Sequence, residues 1–110
     1  KTDAPSGTAR ELAYRLGEVR QPELAVPVDQ TVGPRESRGA GLNGCQVNSV
    51  RLPGYVASAE AIFGLPDMQL SLRHDAGTSA QPYVDGTLLA IRKVSTLNGL
   101  HRGLDCVMDF

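Results

Sequence analysis

The sequence is poor in aromatic residues and cysteines and has no long apolar run, and each shortage excludes something. Trp is absent and aromatic residues make up 5% of the 110 residues, so a core must rest on Leu, Val, Ile and Ala. Two cysteines are too few for a disulfide scaffold and suit a reducing, cytoplasmic compartment, although a single Cys45–Cys106 bridge stays open. Without a run of about 18 apolar residues or a basic-then-apolar leader, the sequence predicts neither a membrane span nor a secretory signal.

The sequence also has no large excess of positive or negative charge. Lys and Arg number 11 and Asp and Glu 12, a net charge of -1, which argues against a general nucleic-acid binder but allows a local anion site. Neither cysteine has a neighbouring residue at a metal-ligand spacing, so no metal site is predicted. His74 is interpreted as structural or solvent-facing, and no role is predicted for His101.

The N-terminal part of the sequence predicts one amphipathic helix, from Gly7 to about Val19. Its apolar residues are spaced i, i+3, i+4 and i+7, with polar residues on the other face. These apolar positions are Ala9, Leu12, Ala13 and Leu16. Pro22 ends the helix, residues 24–28 are predicted as a short edge strand, and residues 29–44 as a long polar, glycine-rich loop whose arginines are solvated.

The remainder predicts strands followed by a second helix. Residues 45–52, 55–63 and 68–73 favour strands joined by short turns, which is typical of an antiparallel meander, and residues 82–94 favour a helix with Pro near its start. The fold class is therefore α+β: a mixed or antiparallel sheet of about four strands with two helices on one face, in a single domain of residues 1–110. The uncovered sheet face predicts association with another copy.

One string in the predicted loop imitates a nucleotide-binding motif. Residues 39–44, GAGLNG, match G-x-G-x-x-G, and Glu60 lies about twenty residues further on. The dinucleotide motif works because it follows a strand and opens a helix, whose N-terminus then faces the pyrophosphate. Here the string precedes a predicted strand, so we interpret it as flexible loop.

The first residues of the chain suit an anion better. Ser6 is a good N-cap, which leaves the N–H groups of Gly7 and Thr8 free in the first turn of the helix. A carboxylate or phosphate is attracted to such a helix end, and glycine lets it approach closely. Lys1 can add charge or a proton. Physical reasoning alone leaves a second interpretation open, in which these residues merely start a helix.

Five segments resemble the dihydrodipicolinate reductase family. Residues 1–9, KTDAPSGTA, match the family signature K-x-D-A-P-S-G-T-A, and residues 47–51, VNSVR, are similar to its V-H-S-V-R strand. Residues 72–75, LRHD, residues 86–92, GTLLAIR, and residues 103–105, GLD, are similar to later family segments. The resemblance covers essentially all of the chain, but only the C-terminal part of the family.

The resemblance implies a fold, an assembly and an activity. The implied fold is the family's substrate-binding and oligomerisation domain, similar to the C-terminal domain of glyceraldehyde-3-phosphate dehydrogenase, in a homotetramer formed through the sheet. The implied activity is reduction of a small cyclic dicarboxylate with NADPH or NADH, on the diaminopimelate route to lysine. The nucleotide-binding domain and the family's catalytic histidines are then expected upstream of residue 1, and no cofactor site within the chain.

The resemblance also implies roles for individual residues. Lys1 is the proton donor, and Ser6, Gly7 and Thr8 grip one substrate carboxylate. Two departures from the family pattern are Asn48, where His is usual, and the missing Arg between residues 74 and 86. They leave two alternatives open: a related reductase for another acid, or a non-enzymatic self-associating module of the same fold.

Overall fold

The structure is a computed structural model that describes residues 2–109. These residues form two compact units. The first unit comprises residues 2–55 and 59–74, and the second comprises residues 56–58 and 75–109. Among the described residues, no helix is both long enough and apolar enough to cross a membrane.

The first unit begins with helix α1, Gly7–Val19, as the sequence predicts. Its N-cap is Ser6, whose backbone is extended (φ -66°, ψ 160°) and whose hydroxyl accepts a hydrogen bond from the N–H of Ala9. The helix ends where Arg20 returns to an extended conformation. The apolar face predicted from the periodicity is the face that packs, since Ala13 on it is only 3% exposed.

Two short strands form a hairpin against this helix: β1, Ala40–Leu42, and β2, Cys45–Val47. They pair antiparallel, with Leu42 opposite Cys45, and Asn43 and Gly44 form the turn with φ of 46° and 80°. Positive φ at both central residues is the geometry for which Asn-Gly is the preferred sequence. The prediction of one long loop over residues 29–44 is therefore wrong at its C-terminal end.

The hairpin turn is fastened to α1 by side-chain amides. Asn43 Nδ2 donates to the carbonyl of Tyr14 at 2.8 Å, and Gln21 Nε2 donates to Asn43 Oδ1 at 3.2 Å and to the carbonyl of Gly17 at 3.1 Å. Gly17 is buried at this crossing, and a Cβ there would overlap the Asn43 carbonyl oxygen and lie 2.5 Å from its Nδ2. The glycine thus permits the close approach of hairpin and helix.

In the segment between α1 and the hairpin, the side chain of Arg38 bonds to neighbouring residues. It contains 3₁₀ turns at Val28–Gln30 and Arg35–Arg38, and the predicted strand over residues 24–28 is wrong, because Pro27 caps the first of these turns. Arg38 donates to Thr31 Oγ1 at 2.9 Å, to the carbonyl of Val26 at 2.8 Å and to Gln46 Oε1 at 3.1 Å. The expectation that Arg38 is a solvated charge is therefore wrong.

Strands β3, Ala57–Leu65, and β4, Met68–Ala76, form a second hairpin around Pro66 and Asp67. The α+β class and the number of about four strands are confirmed for the described residues, but the strands divide between two two-stranded sheets. The predicted meander does not form. The strand that begins at Cys45 ends at Val47, and it pairs with β1, which precedes it in the chain, instead of with β3.

The second unit is built on helix α2, Val84–Lys93, which lies within the predicted range of 82–94. Single 3₁₀ turns, Gln81–Tyr83 and Val94–Thr96, extend it at both ends. The C-terminal tail packs back on the helix: Val107 is 5% exposed, and Lys93 Nζ lies 2.8 Å from the carboxylate of Asp109.

Candidate functional site

The start of α1 presents two backbone amides without partners. The N–H of Ala9 bonds to Ser6 Oγ at 3.2 Å and the N–H of Arg10 to the Ser6 carbonyl at 3.0 Å. Within residues 2–109, no acceptor is found for the N–H groups of Gly7 and Thr8. Both residues are exposed, so these donors are available to a ligand, as the sequence predicts.

Gly7 leaves open space beside these amides. Apart from the neighbouring residues and the backbone of the same helix turn, no heavy atom of the described residues lies within 4 Å of the position that a Cβ would occupy, so packing among residues 2–109 does not require a glycine here. The first turn of α1 also contains no acidic residue that would repel an anion. The partial positive charge of the helix end, the free N–H groups and the open approach together suit a carboxylate or phosphate.

The loop before the helix is held by a residue that sequence reasoning did not single out. Arg51 Nη2 donates to the carbonyl of Asp3 and lies 4.0 Å from its Oδ1, and Arg51 Nη1 bonds to the carbonyl of Val50 at 3.1 Å. The only sequence signal was the place of Arg51 at the end of the VNSVR segment, which said nothing about a partner. In the structure that segment leaves the sheet after Val47 and brings the guanidinium to the loop.

Of the other sequence-predicted residues, the structure describes Asn48, His74 and His101. Lys1 lies outside the described residues. Asn48 is exposed and follows the last residue of β2, and His74 is exposed near the end of β4. His101 is exposed, with Nε2 2.9 Å from the carbonyl oxygen of Asn98.

The cysteines and the glycine-rich string are accounted for by local structure. Cys45 and Cys106 are free thiols, each near a carbonyl oxygen, at 3.5 Å from that of Ala13 and 3.3 Å from that of Gly103. Residues 39–44 form β1 and the turn into β2, so no helix N-terminus follows them and the string lacks the geometry of a dinucleotide site. The described part of the chain contains no cluster of three or more potential metal ligands.

Comparison with known proteins identifies the family. The family model described as "Dihydrodipicolinate reductase, C-terminus" matches residues 1–108. The chain belongs to this family. The family's C-terminal part therefore accounts for nearly every residue described above, including the signature that ends at the start of α1.

Individual relatives agree with this assignment. Proteins named 4-hydroxy-tetrahydrodipicolinate reductase are 42% identical in Desulfitobacterium hafniense (strain DSM 10664 / DCB-2) and 41% identical in Mycolicibacterium smegmatis (strain ATCC 700084 / mc(2)155), each over 99% of this chain. The chain spans 40% and 44% of their respective lengths. The similarity thus covers less than half of the length of each relative, as expected for a chain that matches the C-terminal part of the family.

A solved structure confirms the fold. The structure titled "Dipicolinate bound Dihydrodipicolinate reductase from Paenisporosarcina sp. TG-14" is similar with a TM-score of 0.82 and 34% sequence identity. The match covers 98% of this chain and 40% of that one. The α+β architecture predicted for a dihydrodipicolinate reductase C-terminal part is the one observed.

Proposed function

We propose that the chain is the substrate-binding and oligomerisation part of a 4-hydroxy-tetrahydrodipicolinate reductase, which reduces a cyclic dicarboxylate on the diaminopimelate route to lysine. The observation that carries the proposal is the pair of unpartnered amides at Gly7 and Thr8, beside a glycine that leaves their approach open. The family of the chain supports it, as does the relative described as dipicolinate-bound, since dipicolinate is a dicarboxylate.

One carboxylate of the substrate binds at the start of α1. It accepts hydrogen bonds from the N–H groups of Gly7 and Thr8, with the hydroxyl of Thr8 as a further donor. Ser6 contributes by capping: its Oγ satisfies the N–H of Ala9, which fixes the first turn and so the direction of the free amides. This arrangement orients the substrate through backbone amides, with no acidic side chain in the first turn.

Lys1 supplies the proton. Lys1 stands five residues before Ser6 in the signature, at the start of the segment that leads into α1. A protonated lysine side chain beside the bound dicarboxylate donates a proton to the substrate as the substrate is reduced. The charge of the ammonium group also favours the dianionic substrate.

The cofactor is held elsewhere in the full-length protein. NADPH or NADH supplies the hydride in this proposal, and the choice between them is made by a nucleotide-binding domain outside these residues. Residues 39–44, the G-x-G-x-x-G string of this chain, form a hairpin and so do not fit a dinucleotide. The contribution of the chain is to bind and orient the dicarboxylate.

The second role is self-association into a homotetramer through the β3–β4 hairpin. The apolar residues of β4 alternate along one face and remain exposed: Met68 61%, Leu70 54% and Leu72 59%. An isolated two-stranded hairpin is marginally stable in water, so such a face favours a partner, for which we propose the same hairpin of a second copy. The free thiols of Cys45 and Cys106 fit a cytoplasmic location for this assembly.

The proposal is tested with the full-length protein. We expect oxidation of NADPH or NADH when 4-hydroxy-tetrahydrodipicolinate is added, at a rate that saturates with substrate. The chain of residues 1–110 alone is the matched control and should not oxidise the cofactor. A full-length protein that binds the cofactor and yet leaves this substrate unreduced would contradict the proposal.

A further inference from the structure

Among residues 2–109, the loop formed by residues 2–5 makes its polar contacts with one side chain, that of Arg51. The loop lies between the sequence position of Lys1 and the cap of α1. Among residues 2–109, every hydrogen bond or ion pair that reaches residues 2–5 comes from Arg51. Thr2, Asp3 and Ala4 are exposed and Pro5 is half-buried, and the loop has no turn or ladder bond of its own, so Arg51 is its polar contact with the rest of the described unit.

Arg51 joins two segments of the first unit that lie far apart in the sequence. Its guanidinium reaches 48 positions back along the chain to the carbonyl of Asp3, while a second nitrogen bonds to the carbonyl of Val50 at 3.1 Å. A planar guanidinium carries five donors in a fixed fork, so one side chain can bond to both carbonyls at once. The two segments that it joins are the loop of residues 2–5 (the signature loop) and the residues after β2.

The contact with the backbone of Asp3 matters more than the contact with its side chain. The carboxylate oxygen is 4.0 Å from Arg51 Nη2, and the two side chains are 49% and 41% exposed. An ion pair at that distance and exposure contributes little to stability. The hydrogen bond to the carbonyl, by contrast, fixes the path of the main chain.

We infer that Arg51 is a positioning residue for the reaction. It holds the signature loop so that Lys1, the residue before the loop, meets a substrate bound at α1. The inference rests on the proposed function and adds to it a residue outside the signature. The helix and its cap hold the amides of Gly7 and Thr8 independently of Arg51. Loss of Arg51 therefore impairs the chemical step and leaves carboxylate binding largely intact.

Kinetics of the full-length protein separate these effects. Arg51→Met should lower kcat by about tenfold to a hundredfold, the size of effect that a misplacement of about 1 Å can have, with KM changed by less than about threefold. Arg51→Lys keeps one donor and should recover part of kcat. Asp3→Ala keeps the backbone carbonyl and should retain most of kcat, so a loss equal to that of Arg51→Met would overturn the assignment of the contact to the backbone.

Arg35→Met is the matched control. Arg35 also donates from Nη2 to a backbone carbonyl, that of Asp29 at 3.2 Å, but in the segment between α1 and the first hairpin. The kcat of the Arg35→Met enzyme should be that of the wild type. Equal losses of kcat in Arg35→Met and Arg51→Met, or an Arg51→Met enzyme with the kcat of the wild type, would overturn the inference.

A crystal structure of the full-length Arg51→Met protein gives a readout that needs no activity. We expect residues 2–5 to be displaced or without electron density, while α1 and the first hairpin are unchanged. A loop found in its original position would overturn the inference. A wild-type enzyme that fails to reduce the substrate would instead overturn the proposed function, and the position of the loop would still decide the role of Arg51.

Discussion

At the scale of single residues, the proposed site combines a group that binds the substrate with a group that supplies a proton. The backbone of Gly7 and Thr8 binds the carboxylate in our proposal, and Lys1 delivers the proton. The first can be examined in the structure, where both amides lie exposed at the start of α1. Lys1 lies outside the described residues, and its role is proposed from its place in the signature.

Replacing Lys1 by Ala in the full-length protein should act mainly on kcat. Loss of a positioned proton donor typically costs about 10²–10⁴-fold in rate, while the amides at α1 still bind substrate. Lys93→Ala is a matched control, because Lys93 is the only other lysine in the sequence and its Nζ lies 2.8 Å from the carboxylate of Asp109. Steady-state kinetics should show kcat reduced only in Lys1→Ala. A large rise in KM with unchanged kcat would assign Lys1 to binding instead.

At the scale of the elements, α1 and the first hairpin form the platform of the site. The bounds of α1 could be predicted because capping and apolar periodicity are local properties, read from Ser6 to Val19. The first hairpin was missed because the glycine-rich string around Asn43 was interpreted as loop, although Asn-Gly is itself a hairpin signal. The bond from Arg51 to Asp3 could not be predicted, since no local pattern pairs residues 48 positions apart.

Gly17→Ala tests how the hairpin meets the helix. Ala favours an isolated helix by about 1 kcal/mol over Gly, but here the added Cβ would overlap the Asn43 carbonyl oxygen. Overpacking of this kind costs about 1–3 kcal/mol, so the variant should have a lower Tm despite its better helix propensity. Gly41→Ala is the control, because a Cβ there meets no atom within 4 Å. A Gly17→Ala protein more stable than the wild type would show that the crossing is looser than described.

At the scale of the whole molecule, little of the chain is buried. Ala13 and Val107 are the buried apolar residues of the described part, at 3% and 5% exposure. Apolar side chains on the proposed interface face of the β3–β4 hairpin, such as Leu70 at 54%, remain exposed. The sequence predicts an uncovered face on one larger sheet, whereas these exposed apolar residues lie on a two-stranded hairpin.

Leu70→Glu should weaken self-association of the full-length protein. A charge in the middle of β4 would have to be buried without a partner if this face meets a second copy. Ser71→Glu is the matched control, since the next residue of a strand points to the opposite face. Sedimentation velocity should show a smaller species for Leu70→Glu and the wild-type assembly for Ser71→Glu. The same assembly for both variants would exclude this face from the interface.

The central claim is that Gly7 is bare so that a carboxylate can reach the start of α1. The most direct test is the dissociation constant of dipicolinate, measured by calorimetry on full-length wild-type, Gly7→Ala and Gly41→Ala proteins, with thermal melts as the folding control. A methyl group at Gly7 would crowd the anion and yet meet no described atom beyond its own helix turn, so binding should weaken by about tenfold, roughly 1.4 kcal/mol, while Tm is kept or slightly raised. Gly41→Ala should bind like the wild type. Unchanged binding in Gly7→Ala would contradict the account and leave residues 1–9 as no more than the start of a helix.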